Sequence, residues 1–113
     1  MISRLERFIF KKLLRNMEQY EISMEDLKNK QLNGAYIVDV RSSQEYMEGH
    51  LEGAINIPYY EINKNINKIL EDKHKEIVLY CEAGIRSKRA YKKLKEFGYE
   101  NVYNLYLGIE NWI

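Results

Sequence analysis

The only cysteine of the chain, Cys81, ends an apolar run and opens the sequence CEAGIRS. A thiol in this position is either a small core residue or a nucleophile. Gly84 allows a tight turn in which successive N–H groups converge on one point. The helix predicted to begin near Ser87 directs its positive end at the same point, and Arg86, Lys88 and Arg89 add positive charge nearby. These features stabilise a thiolate and therefore indicate a nucleophile.

The segments around Cys81 alternate between strand and helix signals. The predicted strands are YEI, AYIVDV, GAINI, EIVLY and NVYNL. The predicted helices are one capped by Ser23 with Asp26, one over SQEYME capped by Ser42 with Glu45, one over about residues 61–70, one over residues 87–97, and a last turn at residues 108–112. This alternation predicts an α/β fold with three α/β/α layers and a five-stranded, mostly parallel sheet. Cys81 then lies at the carboxyl end of the fourth strand, where open α/β sheets bind ligands.

Length and composition exclude several classes of protein. A chain of 113 residues is expected to form one main domain. The formal net charge of +1 argues against bulk nucleic-acid binding. One cysteine forms no internal disulfide, and no apolar run approaches the roughly 18 residues that span a bilayer. We therefore expect a cytoplasmic protein with a reduced thiol.

Residues 1–17 differ in composition from the rest of the chain and predict an amphipathic basic helix. They carry five basic residues against one acid, Glu6, which lies among the apolar side chains. The apolar face consists of Ile2, Leu5, Ile9, Phe10, Leu13 and Met17. The basic residues are Arg4, Arg7, Lys11, Lys12 and Arg15. The expected division is an N-terminal extension at 1–19 and a domain at 20–113. The helix either packs on the domain or a second subunit, or attaches weakly to an anionic membrane surface.

Three segments of the chain resemble one known family. CEAGIRS after a buried strand resembles the active-site loop of rhodanese-like sulfurtransferases, whose usual form is C-x-x-G-x-R-S. The stretches IVDVRSSQEYMEGHLEGAINIP and FGYENVYNLYLGIENW are similar to two further motifs of that family. The three motifs occur in the family's order and the resemblance covers roughly residues 20–113. It implies the rhodanese-like fold.

The resemblance also implies a reaction. Cys81 would attack the outer sulfur of a small anionic donor such as thiosulfate and become a persulfide, which a thiol or protein acceptor then discharges. Asp39 and Arg41 would pair with loop groups and fix the shape of the pocket. Arg86 would orient the donor or brace the loop. The sulfur would lie in a cradle formed by Glu82, Ala83, Gly84, Ile85, Arg86 and Ser87. No metal and no organic cofactor are implied.

The same loop leaves other functions open. Four residues separate Cys81 from Arg86, whereas phosphatases of related fold have five, so the shorter loop favours a single sulfur atom over phosphate. Glu82 nevertheless matches the C-E opening of those phosphatases, and a phosphatase or arsenate-reductase-like activity is one alternative. The other is a non-catalytic binding module, although such members usually lack the cysteine.

Three residues depart from the family pattern. Ala83 removes a common hydroxyl, and Leu107 replaces the first glycine of a usual pair. Glu82 adds negative charge beside the nucleophile, which would weaken thiosulfate capture or select a cationic or protein-borne partner. His50, in the matching G-H-L segment, is expected to bond to backbone rather than act as a base. Because His50 and His74 are not at ligand spacing, no metal site is expected.

Overall fold

The computed structural model describes residues 3–14 and 17–112, and the side chains of 3–9 and 17–112. The helices are α1 (Arg4–Leu14), α2 (Met24–Leu32), α3 (Ser43–Glu48) and α4 (Ile85–Glu96). The strands are β1 (Glu21–Ile22), β2 (Tyr36–Asp39), β3 (Ile55–Asn56), β4 (Ile77–Tyr80) and β5 (Val102–Leu105). Single 3₁₀ turns occur at Tyr59–Glu61, Ile66–Lys68 and Ile109–Asn111. All five predicted strands are therefore present, each shorter than its apolar segment.

The strands form one sheet in the order β1-β5-β4-β2-β3. Every pairing between them is parallel, so the predicted "mostly parallel" sheet is parallel throughout the described strands. Asp39 pairs with Tyr80 in register, and the Val40 N–H still donates to the Tyr80 carbonyl at 3.0 Å. Cys81 and Arg41 consequently leave the sheet at the same carboxyl edge.

Apolar side chains cover both faces of the sheet. On one face Leu79 and Val102 pack with Leu94 of α4 and with Ile66 and its neighbours. On the other face Ile37, Val78 and Tyr80 pack with Leu27 of α2. Because parallel strands buried on both faces read as continuous apolar runs, this is the arrangement that IVLY predicts. The three-layer α/β/α architecture is confirmed.

Helix α4 begins at Ile85, two residues earlier than the sequence predicts. Gly84 is its N-cap and has a φ of 92°, in the left-handed region that glycine adopts without steric cost. The helix therefore starts inside the loop that follows Cys81. Ile85, Arg86 and Ser87 form its first turn.

The helix predicted over about residues 61–70 is wrong. Two 3₁₀ turns occupy that segment, and asparagine side chains separate them. The Asn65 N–H donates to Asn63 Oδ1 at 2.9 Å, and Asn63 Nδ2 donates to the Glu61 carbonyl at 3.0 Å. Such local bonds compete with a continuous helix. Ile62 and Ile66 are still buried, so the apolar spacing is used in the core without an α-helix.

Helix α1 confirms the N-terminal prediction over Arg4–Leu14, whereas Ser3 and Met17, which the prediction included, lie outside the helix. Residues 3–9 are exposed, including Leu5 and Ile9 of the predicted apolar face. Met17 is half-buried. The calls on Ile2 and Arg15, and on the side chains of residues 10–14, lie outside the described residues. Among the helices that the structure describes, none is both long and apolar enough to cross a bilayer. The division at residues 19 and 20 stays a prediction.

Candidate active site

Cys81 follows β4 directly and its side chain is buried. Its Sγ accepts a hydrogen bond from the Gly84 N–H at 3.1 Å. The Ser87 Oγ lies 3.4 Å from the same sulfur and donates to the Gly84 carbonyl at 3.2 Å. The turn thus holds the thiol sulfur against a backbone N–H, which stabilises negative charge on it. The Ser87 hydroxyl would do the same only by turning its hydrogen from the Gly84 carbonyl to the sulfur.

The start of α4 lies against this sulfur. The first N–H groups of a helix have no carbonyl four residues earlier inside the helix. Here Lys88 is the first residue whose N–H reaches back, to the Gly84 carbonyl at 3.3 Å. The N–H groups of Ile85, Arg86 and Ser87 precede it and form the positive end of the helix dipole. An anion bound beyond Cys81 would meet these donors.

Arg86 forms a two-point ion pair with Glu45 of α3. Its Nη1 lies 2.6 Å from Glu45 Oε1 and its Nη2 lies 3.0 Å from Oε2. The hydrogen bond from Arg86, with those from Ser42, lowers the pKa of Glu45 to about 2. The same bond raises the pKa of Arg86. Of the two predicted roles for Arg86, this geometry is that of a brace between α4 and α3.

Asp39 and Arg41 form a second charged pair at the same edge of the sheet. Arg41 Nε and Nη2 donate to the Asp39 carboxylate at 3.0 Å and 2.7 Å, and Nη2 also donates to the Gly49 carbonyl at 2.6 Å. Arg41 Nη1 lies 3.4 Å from Glu82 Oε2 in the cysteine loop. Tyr80 donates its hydroxyl hydrogen to Asp39 at 2.8 Å. Burial, opposed by a bond from the Leu51 N–H, raises the pKa of Tyr80.

The segment after β5 contacts the backbone of the cysteine loop. The Ile109 N–H donates to the Cys81 carbonyl at 3.0 Å, and the Glu110 N–H donates to the Glu82 carbonyl at 3.2 Å. A Cβ on Gly108 would overlap the Glu82 carbonyl and lie 2.6 Å from the Ala83 nitrogen. Only a residue without a side chain fits between the two segments.

Leu107 precedes that glycine with a φ of 61°. A leucine in the left-handed region is strained, by roughly 1–2 kcal/mol. This backbone position suits glycine, which is the residue that the motif usually has there.

The structure brings most of the predicted site residues together and separates a few. Gly84 and Ser87 contact the sulfur directly, whereas Ala83 and Ile85 have exposed side chains at the rim. His50 bonds through Nδ1 to the Tyr46 carbonyl at 2.8 Å, as expected. Across the described part of the chain, no three histidine, cysteine or acidic side chains cluster as metal ligands do.

Sequence reasoning missed two positioning residues. Glu45 is identified in the sequence only as a helix cap, because its partner Arg86 is 41 residues away. Gly108 is read only as part of a matching terminal stretch, because nothing in that stretch indicates that it lies against Glu82. The signal that could have revealed Glu45 is that one motif contains an acid, Glu45, and another contains a base, Arg86, at the same predicted edge of the sheet.

Comparison with known proteins places this loop in a family. A family model described as the rhodanese-like domain matches residues 23–113. The chain belongs to the rhodanese-like domain family. Its cysteine loop, sheet order and buried edge of charged pairs are therefore those of a rhodanese-like domain.

Several relatives of this rhodanese-like domain have named functions. A Bacillus subtilis protein described as a sulfur carrier, YrkF, is 36% identical over 97 residues, covering 81% of this chain and 50% of that protein. The thiosulfate sulfurtransferase PspE of Escherichia coli is 40% identical over 67 residues, 59% of this chain and 64% of that protein. The tRNA uridine(34) hydroxylase of Erwinia tasmaniensis is 38% identical over 79 residues, 66% of this chain and 23% of that protein.

A solved structure agrees with the fold. The human single-domain sulfurtransferase TSTD1 superposes with a TM-score of 0.71 at 25% identity, covering 84% of this chain and 96% of that one. The chain spans only 50–64% of the length of the first curated relatives that it matches. Family and fold are therefore established by the comparisons, and the reaction has to be argued from the site.

Proposed function

We propose that the protein is a sulfurtransferase that carries a sulfane sulfur as a Cys81 persulfide. The Cys81 thiolate attacks the outer sulfur of a donor such as thiosulfate. A new S–S bond forms to Cys81, the S–S bond of thiosulfate breaks, and sulfite leaves with the bonding electron pair. A thiol or protein acceptor then attacks the outer sulfur of the persulfide and restores the Cys81 thiolate.

One observation supports this proposal most strongly. Cys81 Sγ lies 3.1 Å from the Gly84 N–H, at the start of α4 and at the carboxyl edge of a parallel sheet. The outer sulfur of a persulfide carries negative charge, and the first-turn N–H groups of α4 are preorganised to stabilise it. The loop from Glu82 to Ser87 would form that cradle. Asp39 and Arg41 would fix the shape of the pocket beside it.

Intact mass spectrometry tests the proposal. The full-length protein and Cys81→Ser are incubated with thiosulfate and, separately, with cysteine persulfide. We expect wild type to gain the mass of one sulfur atom and to lose it to cyanide as thiocyanate. The serine variant should gain nothing. If wild type gains no sulfur from either donor, the sulfurtransferase proposal is wrong.

The same preparation separates the alternatives. Hydrolysis of a phosphate ester that disappears in Cys81→Ser would favour a phosphatase-like enzyme, although the short loop argues against it. A protein that accepts no sulfur and hydrolyses no ester would be a binding module of the rhodanese fold. The cytoplasm remains the expected location, because a single cysteine kept as a free thiol is typical of a reducing compartment.

We also propose a weak membrane contact for the N-terminal extension. Leu5 is 68% exposed and Ile9 is 48% exposed on one face of α1, and Arg4 and Arg7 are exposed beside them. An apolar face flanked by arginines suits the surface of an anionic bilayer. Self-association through the same face is the competing interpretation.

A further inference from the structure

Both guanidinium groups near the cysteine loop are already paired. Arg86 holds Glu45 at two points, 2.6 Å and 3.0 Å. Arg41 holds Asp39 through Nε and Nη2 and also donates to the Gly49 carbonyl. Neither arginine can turn to a bound dianion without giving up a charged partner. The electrostatic attraction of these two arginines for thiosulfate is therefore weakened.

Glu82 adds a carboxylate that these pairs leave largely uncompensated. It directly follows the nucleophile, and its side chain is 45% exposed. Its contact with Arg41 is 3.4 Å long, and that arginine is mainly engaged by Asp39. Together Asp39, Glu45 and Glu82 set three carboxylates against the two guanidinium groups. Among these five side chains the negative charges exceed the positive ones by one, and Glu82 carries the excess.

The lysine on the first turns of α4 does not reverse this balance. Lys88 Nζ lies 3.8 Å from the buried Glu21 carboxylate, which offsets its charge. Arg89 is exposed at the next helical position and faces solvent. Glu82 directly follows the nucleophile in the chain, whereas Arg89 lies on the second turn of α4. A doubly charged donor bound at Cys81 therefore has a carboxylate as its immediate neighbour.

We propose that Glu82 selects the sulfur donor, disfavouring thiosulfate and favouring a persulfide on a cysteine of a positively charged partner protein. This inference rests on the proposed sulfurtransferase function and names its substrate class. An alkyl persulfide carries at most one negative charge, and basic side chains around it complement Glu82. Opposite charges of this kind raise the rate of encounter.

The rim beside Glu82 fits a protein better than a small anion. Ile85 is 67% exposed although it is an isoleucine on the first turn of α4, and Ala83 is exposed next to it. A small inorganic donor gains nothing from this apolar surface. A partner protein that presents a cysteine would bury it.

The transfer balances without an added oxidant or reductant. The Cys81 thiolate attacks the outer sulfur of the partner's protonated persulfide. The new S–S bond forms to Cys81 as the partner's own S–S bond breaks, and the partner's thiolate leaves with the bonding pair. The proton stays on the transferred sulfur, which ionises at the helix N-terminus.

Competing peptide donors test the inference on the full-length protein. Two peptides each carry one persulfidated cysteine, flanked by lysines in one and by glutamates in the other. Thiosulfate is the third donor, and the rate of sulfur gain is read by intact mass. The variant is Glu82→Gln, which keeps the side-chain shape. The control is Glu71→Gln, an exposed carboxylate before the amino end of β4, at the opposite edge of the sheet.

For wild type we expect about tenfold faster loading from the lysine peptide than from the glutamate peptide at low salt. The ratio should narrow as salt screens the charges. Glu82→Gln should reduce that ratio and speed loading from thiosulfate by about fivefold. Glu71→Gln should change neither rate.

Two results would overturn the inference in different ways. If sulfur loads from all three donors and Glu82→Gln changes neither the peptide ratio nor the thiosulfate rate, Glu82 does not select the donor, and the sulfurtransferase function stands. If no donor loads Cys81 in wild type, the proposed function fails and the inference fails with it.

Discussion

At the scale of single residues, the two-point ion pair of Arg86 with Glu45 connects two helices at the site. The pair joins the first turn of α4 to α3, and Glu45 also bonds to Ser42 at the start of α3. Because α4 presents its N-terminus to Cys81, a movement of this pair moves the anion site. We therefore expect Arg86 to be a positioning residue that depends on Glu45 as much as on its own charge.

The pair can be separated from a direct role in donor binding by a double-mutant cycle. If Arg86 braces the loop, Glu45→Gln and Arg86→Gln should each slow sulfur loading by about tenfold, since small misplacements of a reacting site are costly. The double variant should then lose no more than either single variant. Intact mass spectrometry measures the loading rate. Additive losses would instead assign Arg86 to the donor.

The same carboxylate predicts a pH dependence of stability. The pKa of Glu45 is about 2 in the folded chain and about 4.5 ordinarily, so its folded value is depressed. The ion pair therefore contributes its full stability above pH 4.5 and loses it as the pH falls from 4.5 towards 2. Glu45→Gln should be less stable than wild type by about 1 kcal/mol at neutral pH.

The difference in unfolding free energy between wild type and Glu45→Gln should shrink in acid. Urea unfolding at neutral pH and at pH values spanning the window measures it for both proteins. Glu100→Gln is the control for a surface acid, because the one charged contact that Glu100 makes among the described residues is an exposed one with His74. A gap between wild type and Glu45→Gln that stays constant down to the lowest pH would contradict the depressed pKa.

At the scale of elements, the cysteine loop lies between the first turn of α4 and the segment that follows β5. The Ile109 and Glu110 N–H groups bond to the Cys81 and Glu82 carbonyls. Gly108 allows this approach because it has no side chain and because its φ of 72° with ψ of 178° is a glycine conformation. The loop geometry is therefore determined partly by residues far from it in sequence.

Gly108→Ala should displace the loop while the sheet persists. The methyl group would collide with the Glu82 carbonyl, so we expect loading of Cys81 to fall by about tenfold or more. Gly34→Ala is the matched control: Gly34 also has a positive φ, 92°, but a Cβ there meets nothing within 4 Å. Gly34→Ala should lose about 1 kcal/mol of stability from its backbone. Gly108→Ala should lose more, because its backbone conformation is restricted to glycine and its methyl group collides with the loop.

Only Gly108→Ala should lose the reaction. Thermal unfolding followed by circular dichroism verifies that both variants fold, and intact mass spectrometry gives their loading rates. Equal loading by the two proteins would show that the segment after β5 does not position the loop.

The elements that could be predicted from the sequence are those with strong local signals. The buried run IVLY gives β4, and Ser42 with Glu45 gives α3 through a capping box that the structure contains in full. The segment at residues 61–70 could not be predicted, because Asn63 and Asn65 make side-chain bonds that no apolar spacing reveals. Long-range contacts such as that of Arg86 with Glu45 could not be predicted either, because the two residues are 41 positions apart in the sequence.

At the scale of the whole molecule, α1 is set apart from the three layers by its exposure. Residues 3–9 are exposed throughout, and Leu5 and Ile9 are apolar side chains among them. Exposed apolar residues need a partner surface only when they lie together, as these do on one helical face. A persulfide carrier with such a helix would be concentrated near an anionic surface.

Vesicle sedimentation of the full-length chain tests whether α1 binds an anionic membrane surface. We expect the protein to pellet with phosphatidylglycerol vesicles, to stay in solution with phosphatidylcholine vesicles, and to be released by salt, which screens the arginines. Leu5→Glu should abolish pelleting by placing a charge in the apolar face. Leu32→Glu is the control, since Leu32 of α2 is 85% exposed and lies in the domain.

Self-association is the result that would overturn the membrane interpretation. If the chain fails to pellet and light scattering shows a dimer that Leu5→Glu converts to a monomer, the apolar face of α1 binds a second copy. Sulfur loading separates the two properties, because Leu5 lies in α1, outside the residues that the family model matches, and Cys81 lies within them. Leu5→Glu should load sulfur from a soluble donor as fast as wild type whichever surface α1 binds.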